Sequence, residues 1–517
     1  MAQRVVIDPV TRIEGHLKVE VVVEDGVVTN AWVVGTAARG FEILLKGKDP
    51  RDATYVTERI CGVCAGSHGW NSSIAVENAQ GAQLPEAGRV LRNLMIGAMW
   101  LHDHPLHFYH LSALDYLDVM AVAEYTGNDP KLLAVKDKIV GLVKQGDTAP
   151  LTPRYEPDEF CVNDPEVVIT AVAHYLQALE MQAKARKMSA IFAGKQPHQS
   201  SIVAGGVTMK PNAEQILRFK SMLQEQIKFM KDVYVPDVIA FGTGPLLPLA
   251  QAGVGGGEGN FLSYGGFPLK DGKYLYQPGV IFDGNLANVQ KLDQSKIIED
   301  VKYSWLQDEQ SRHPADMDTV FNLNKKDAYS FLKAPRYQGR GMEVGPLARM
   351  LVQQPQGFMD IVTKYDIKIG AVARHAARAY ETLMLCDAME EWVDELIPLL
   401  AGKNVRIHDT EHWSPPKAGK GQGLLDAPRG ALGHWIEIQD AKIKNYQMVV
   451  PTTWNFSPRD EGGKVGPLEA ALLGVPVPDL ENPINIVRVV RSYDPCLSCA
   501  VHLIEPDSNK IMEYKIC

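Results

Sequence analysis

The sequence predicts a mainly α-helical protein of the α+β kind, a large multi-helix body with small β-hairpins near both ends of the chain. Three observations lead there. Residues 165–193, 212–240 and 369–400 carry apolar side chains at helical spacing over long stretches. Two-residue alternation is confined to short segments close to the termini. The chain has 517 residues, 45% hydrophobic and 22% charged, enough apolar material for a deep core.

Taken in order, residues 17–23 alternate apolar and charged side chains before becoming continuously apolar. Asp25-Gly26 supplies a tight turn, and residues 27–34 return as the second arm of a hairpin. From about residue 52 the period becomes helical. Residues 86–120 read as helix interrupted at Pro105, which lacks an N–H and is expected to kink or break the run. Residues 241–345 have the texture of loops, and the glycine-rich run 253–259 lacks the spacing and preceding strand of a phosphate-binding turn, so it is expected to be a surface loop. Residues 432–438 and 443–450 predict a second hairpin around Asp440. No internal repeat or low-complexity tail interrupts this plan.

Composition narrows the function. A net charge of −9 argues against broad nucleic-acid binding. No 18-residue apolar run predicts a membrane span, and residues 1–7 lack the basic and apolar regions of a signal peptide. Seven cysteines are too few for a disulfide scaffold, but four of them form two Cys-x-x-Cys pairs, Cys61/Cys64 and Cys496/Cys499. Two such pairs can bring four thiolates to one metal. Zinc is the usual occupant of that pattern, yet zinc ribbons space their pairs by ~15–20 residues. Here more than 400 residues intervene, so the whole chain must fold before the site exists. His68 and His502 follow the pairs, Glu58, Arg59, Arg491 and Asp494 lie close to them in sequence, and Arg12 and Glu14 form a further charged cluster near the start of the chain. A closed structural site has no use for adjacent carboxylates, whereas a proton-handling site does. Thiolates also suit iron and, with open coordination, nickel.

The run Arg59-Ile60-Cys61-Gly62-Val63-Cys64, with His68, and the run Asp494-Pro495-Cys496, with Cys499 and His502, resemble the two signatures of the large subunit of nickel–iron hydrogenases. Further matches occur in order: Asp8-Pro9 through Glu14-Gly15-His16, Arg39-Gly40-Phe41-Glu42, His107-Phe108-Tyr109-His110-Leu111, Lys333-Ala334-Pro335-Arg336-Tyr337, Glu343-Val344-Gly345-Pro346-Leu347, Ala427-Pro428-Arg429-Gly430 and Pro451-Thr452-Thr453-Trp454-Asn455. The resemblance therefore covers nearly the whole chain. The quinone-site subunit of respiratory complex I is similar in fold but lacks the four cysteines.

The resemblance implies a fold like that large subunit and reversible oxidation of H2 to protons and electrons at a thiolate-bridged nickel–iron centre. Cys61 and Cys496 are then terminal nickel ligands, while Cys64 and Cys499 bridge nickel to an iron that also carries carbon monoxide and cyanide. Glu14 becomes the first proton relay, since a base beside a thiolate must remove the proton released from H2. Arg429 faces the open side of the metals, held by Asp103 and Asp494. His68 donates to a bridging sulfur, and the Thr452 hydroxyl faces an iron-bound cyanide. Glu42, His502 and a backbone carbonyl near Met448 hold magnesium or a similar hard cation. The histidines at 102, 104, 107 and 110 are expected on a helix surface and at a subunit interface.

Residues 1–502 are expected to form the large-subunit domain, and 503–517 an extension removed by a maturation protease once nickel-insertion proteins have loaded the site. Three scattered cysteines cannot hold iron–sulfur clusters, so the electrons need a small subunit that carries them. The likeness is greatest to respiratory uptake enzymes. It implies co-export with the small subunit to the periplasmic side of the inner membrane, with a membrane cytochrome or quinone-linked subunit as a further partner. The alternatives are a cytoplasmic hydrogenase, an H2 sensor, and a zinc-binding or complex-I-like scaffold subunit without hydrogenase activity.

Overall fold

Three antiparallel strands open the chain: β1 (Gln3–Ile7), β2 (Leu17–Glu24) and β3 (Val27–Gly35), paired in that order. Val19 and Val21 face Val33 and Ala31 across the β2–β3 ladder and are buried, as the alternation requires. Asp25 and Gly26 both take positive φ, the backbone a two-residue hairpin turn needs. Strand β1 adds an edge to the expected hairpin. The computed structural model describes residues 2–500 apart from 150, 153, 309 and 403, and the side chains of residues 499 and 500 lie outside that description.

Most of the mass is helical. The helices that frame the site and its supports are α1 (Ala65–Gln80), α2 (Glu86–Pro105), α3 (Pro165–Ala193), α4 (Ala213–Phe229), α5 (Pro346–Gln353), α6 (Ala371–Leu400), α7 (Ile484–Ser492) and α8 (Leu497–Ala500). Helix α3 shows why its limits were readable. Asp164 caps it by accepting from the N–H groups of Glu166 and Val167, Pro165 occupies the first turn, and Gly194 comes just after its end. Helices α3 and α6 pack against α2, whose Leu91, Leu94, Met95, Met99 and Trp100 lie at the centre of one extended core. Each such side chain contributes roughly 1.5–3 kcal/mol on burial. No helix among the described residues is long and apolar enough to cross a membrane.

The α-helical run is interrupted at Pro105 as expected, but the helical path is not lost: α2 ends at Pro105, and Leu106–Ser112 continues directly as a π-helical segment. One expectation needs correction: the glycine run is not a simple surface loop. Gly255 is buried against Val489, and its carbonyl accepts from Arg374 at 2.9 Å, so the run fills a narrow space that side chains would block.

The C-terminal hairpin forms from β5 (Gly430–Gln439) and β6 (Lys442–Val449), turning at Asp440 and Ala441. A third strand, β4 (Ala418–Ala427), pairs with β5. Its glycines hid it from a reading based on alternation, yet they give it a purpose. A Cβ on Gly419, Gly421 or Gly423 would lie 1.9–2.5 Å from the carbonyl of Ala79, Ala75 or Asn71. The bare face of β4 thus seats α1 backbone to backbone, which brings the helix behind Cys64 against the hairpin that carries Arg429.

Candidate metal centre

Cys61 sits in the turn that precedes α1. The backbone N–H groups of Val63 and Cys64 donate to its sulfur at 3.2 and 3.3 Å. Cys64 itself is the N-cap of α1, at the positive end of the helix. The two-residue spacer therefore places one sulfur over the turn's own amides and the other at a helix start, both suited to thiolates.

Cys496 arrives from the far end of the chain along Glu14. The two residues form an isolated parallel bridge, in which Leu497 N–H donates to the Glu14 carbonyl at 2.7 Å. This places Cys496 Sγ 3.3 Å from Cys61 Sγ. The sulfurs of Cys61, Cys64 and Cys496 all lie within 4.8 Å of one another and are buried. Cys499 lies one turn on by its backbone in α8, but its side chain is outside the described residues, as is all of His502. Three convergent soft donors, two of them at thiolate-stabilising positions, fit a thiolate-bound transition metal.

Around the sulfurs stand groups that a closed structural site does not need. Glu14 is half-buried. Its Oε2 accepts from the Ser498 N–H at 3.0 Å and lies 3.1 Å from Cys496 Sγ. Burial raises its carboxyl above the usual range, the charge of Cys61 adds to this, and the bonds from Ser498 and Cys496 oppose it. Arg429 is buried, with Nη1 3.2 Å from Asp103 Oδ2 and Nε 3.2 Å from Asp494 Oδ2. Burial works against its charge, but Asp494, Cys496 and Asp103 outweigh that effect and keep the guanidinium protonated. Arg429, His68, Cys64, Thr452 and Cys496 line one small cavity. Thr452 Oγ1 accepts the Cys496 N–H at 3.1 Å, leaving the hydroxyl proton to be donated elsewhere.

Glu42 lies behind this cavity. Its Oε1 accepts from the Met448 N–H at 3.0 Å and lies 3.2 Å from Lys333 Nζ, while Thr319 hydrogen-bonds Oε2. The Lys333 ammonium also meets Glu299 at 3.3 Å and Gln447 at 2.8 Å. Two buried carboxylates against one ammonium leave a negative excess, and burial pushes the Glu299 carboxyl up to about 7. A narrow cavity borders Glu42, Thr319, Lys333 and Met448.

The four histidines are placed differently from the expectation. His102, His104 and His107 are buried within this chain, and His110 is half-buried. His102 donates to Asp103 at 2.8 Å, His107 to the Arg491 carbonyl at 2.6 Å and His110 to the Tyr175 carbonyl at 3.2 Å, while His104 lies 3.0 Å from Glu381. They are separate core contacts, because α2 and the π-helical segment after it are packed on by other elements of this chain rather than exposed along one face.

Other residues at the site carried no sequence signal. His68 Nδ1 lies 3.2 Å from His434 Nε2, and His434 Nδ1 lies 2.7 Å from the Tyr446 hydroxyl, which donates to Ser72 at 2.9 Å. This buried chain ties α1 to β5 and β6. Arg378 on α6 donates to the Ser492 carbonyl at 3.2 Å; burial lowers its proton affinity, and Asp494 only partly offsets that. A lone His in a strand and one Arg in a long helix look ordinary until the fold brings them against His68 and the Ser492–Asp494 segment.

Comparison with known proteins agrees with this geometry. The model of a family described as nickel-dependent hydrogenase matches residues 39–502, and one described as HoxL-like matches residues 4–34. The chain is 38% identical to the uptake hydrogenase large subunit of Bradyrhizobium diazoefficiens, over 99% of this chain and 97% of that protein. It is equally identical to the periplasmic NiFeSe hydrogenase large subunit of Desulfomicrobium baculatum, over 98% of this chain and 96% of that one. The reduced Ni-Fe-Se hydrogenase of D. vulgaris Hildenborough superposes with a TM-score of 0.85 at 38% identity, over 97% of this chain and all of that one. With nine-tenths of its length matched and its cysteines converging beside an acid and an arginine, the chain belongs to the nickel-dependent hydrogenase family.

Proposed function

We propose that this chain is the catalytic large subunit of a hydrogenase that reversibly oxidises H2 to protons and electrons at a nickel–iron centre and passes the electrons to an iron–sulfur small subunit. One observation carries the reading. Sulfurs from opposite ends of the chain lie within 4.8 Å of one another, with a carboxylate 3.1 Å from one of them and a buried guanidinium on the same cavity. Cys61, Cys64 and Cys496 would hold the centre, with Cys499 as the fourth ligand. When bound, the metals supply the heterolytic splitting of H2.

The protein's own groups supply the rest. Glu14 takes the proton from the Cys496 side and passes it outward, a role suited to a half-buried carboxyl whose proton affinity is raised. Arg429, clamped between Asp103 and Asp494, fixes a positive charge over the cavity and orders what enters it. His68 adjusts the sulfur beside it. Thr452 offers its hydroxyl proton to a diatomic ligand on iron, for which carbon monoxide and cyanide are the proposed species. The negative excess around Glu42 and Lys333 favours a magnesium-like cation there, completed by Met448 and His502.

Cys161 and Cys386 stand outside the convergent group, so electron transfer calls for a cluster-bearing partner near Cys61. Residues 503–517 are proposed to be removed after nickel insertion by a dedicated protease, leaving His502 as the mature end. Intact mass tests this, since fully active enzyme that retains 503–517 refutes it. A cell-envelope location agrees with the periplasmic relative. A periplasmic site reached by co-export and a membrane cytochrome or quinone-linked partner are the finer proposals. The decisive experiment is metal analysis together with H2-dependent dye reduction by the purified pair, with Cys499→Ser as the negative control. Zinc alone with no turnover overturns the reading.

A further inference from the structure

Helix α5 begins at Pro346, within the Glu343–Leu347 motif, and carries an arginine in its first turn. On a helix whose other buried residues are apolar, Arg349 is fully buried beneath the Trp100 ring, 4.7 Å from its centroid. All five of its N–H donors are used. Nε and one Nη2 proton form a fork to Glu381, both at 2.8 Å. Nη1 reaches Asp426 at 3.0 Å and the Ala427 carbonyl at 3.1 Å, and the second Nη2 proton reaches the Pro428 carbonyl at 2.8 Å. Arg349 therefore grips three successive residues immediately before Arg429.

The same turn is pressed from its other side. Gly345 and Gly430 both have positive φ, at 125° and 127°. A Cβ on Gly430 would lie 2.5 Å from Gly345 N, and one on Gly345 would lie 3.0 Å from the Arg429 carbonyl. Beyond the turn, Glu381 also lies 3.0 Å from His104, the neighbour of Asp103 on α2. One buried guanidinium is thus linked both to the backbone that carries Arg429 and to the helical turn that carries its carboxylate partner.

We propose that Arg349 is a positioning residue for Arg429, fixing the Asp426 side chain and the 427–428 backbone directly and the Asp103 turn through Glu381 and His104. A forked, planar five-donor group is what this arrangement needs. An ammonium offers three donors from one point and cannot serve Glu381, Asp426 and two carbonyls together. Lysine keeps a positive charge between the two carboxylates but releases the carbonyls, so the turn can drift. Displacement of an active-site group by ~1 Å is enough to cost ~10²-fold in rate.

The inference rests on Arg429 acting at the metal face, so Arg429→Lys is measured beside Arg349→Lys in the purified two-subunit enzyme. Arg349→Lys is expected to keep wild-type nickel content and to lower kcat by ~10–100-fold with KM for H2 little changed. Its nickel paramagnetic resonance g-values are expected to shift in the same direction as those of Arg429→Lys. Wild-type kcat and g-values in Arg349→Lys, beside a depressed Arg429→Lys, overturn this inference alone. Wild-type turnover in Arg429→Lys overturns the role of Arg429 and this inference with it. A rate loss matched by lost nickel, with wild-type g-values in what remains, shows a purely structural role and also overturns it. If Arg349→Lys does not accumulate, Asp426→Asn weakens the same grip while leaving Arg349 in place, and the same outcomes decide.

Discussion

Replacing Glu14 with Gln separates proton transfer from everything else at the site. The amide keeps the length and shape of the side chain, and its carbonyl can still accept the Ser498 N–H at 3.0 Å. What it loses is the ability to take a proton from Cys496 Sγ, 3.1 Å away. A positioned acid–base group contributes ~10²–10⁴-fold, or about 3–5 kcal/mol of barrier. H2-dependent dye reduction should fall by that factor at unchanged nickel content. The pH profile gives a second reading. A relay carboxyl must be ionised to accept the proton, so the wild-type rate climbs as Glu14 loses its proton and then levels. The Gln variant should lack the rise. Turnover within threefold of wild type at full nickel loading, or an unchanged acidic limb, would refute the relay and point to another base.

Three further variants probe the surroundings. Thr452→Val removes the acceptor of the Cys496 N–H and should cost about 1–3 kcal/mol of stability; Thr452→Ser keeps the oxygen and should melt near wild type, and equal losses in both would show that the methyl matters instead. In metal-free protein, Lys333→Met removes the ammonium shared by Glu42 and Glu299, at a cost of roughly 3–5 kcal/mol, so an unchanged melting temperature at pH 7 argues against the buried ion cluster. Burial pushes the Glu58 carboxyl up to about 8, so the folded state holds an extra proton between its ordinary value of 4.5 and that point. Wild-type stability must therefore fall as pH rises through that window. Glu58→Gln, which does not titrate, should gain on wild type between pH 5 and pH 9 by at most about 5 kcal/mol, and melting curves shifted equally at both values would contradict the assignment.

Much of the helical frame was readable because its signals are local. Asp164, Pro165 and Gly194 mark both ends of α3 within a few residues of where it starts and stops. Asp25-Gly26 announces its turn by backbone preference alone. Strand β4 was not readable, since its glycines have no meaning without the helix that lies on them. The continuation of the chain past Pro105 was also hidden, because a π turn answers to the tertiary packing around it. At the site, the ligand types and spacing in Cys61/Cys64 and Cys496/Cys499 declared a metal. His434, Tyr446, Arg349 and Arg378 declared nothing, for each is ordinary in its own segment.

By itself the sequence determined the kind of chemistry. Thiolate pairs, an acid and an arginine are choices of functional group, and side-chain chemistry does not depend on where the chain later carries it. Only the tertiary structure decided which groups share a cavity. The bridge between Glu14 and Cys496 joins residues 482 positions apart, and the contact of Arg429 with Asp103 spans 326. No local preference encodes such distances. They arise from one cooperative core burying the segments between, which is also why a centre built from both ends of the chain forms only once the whole chain has folded.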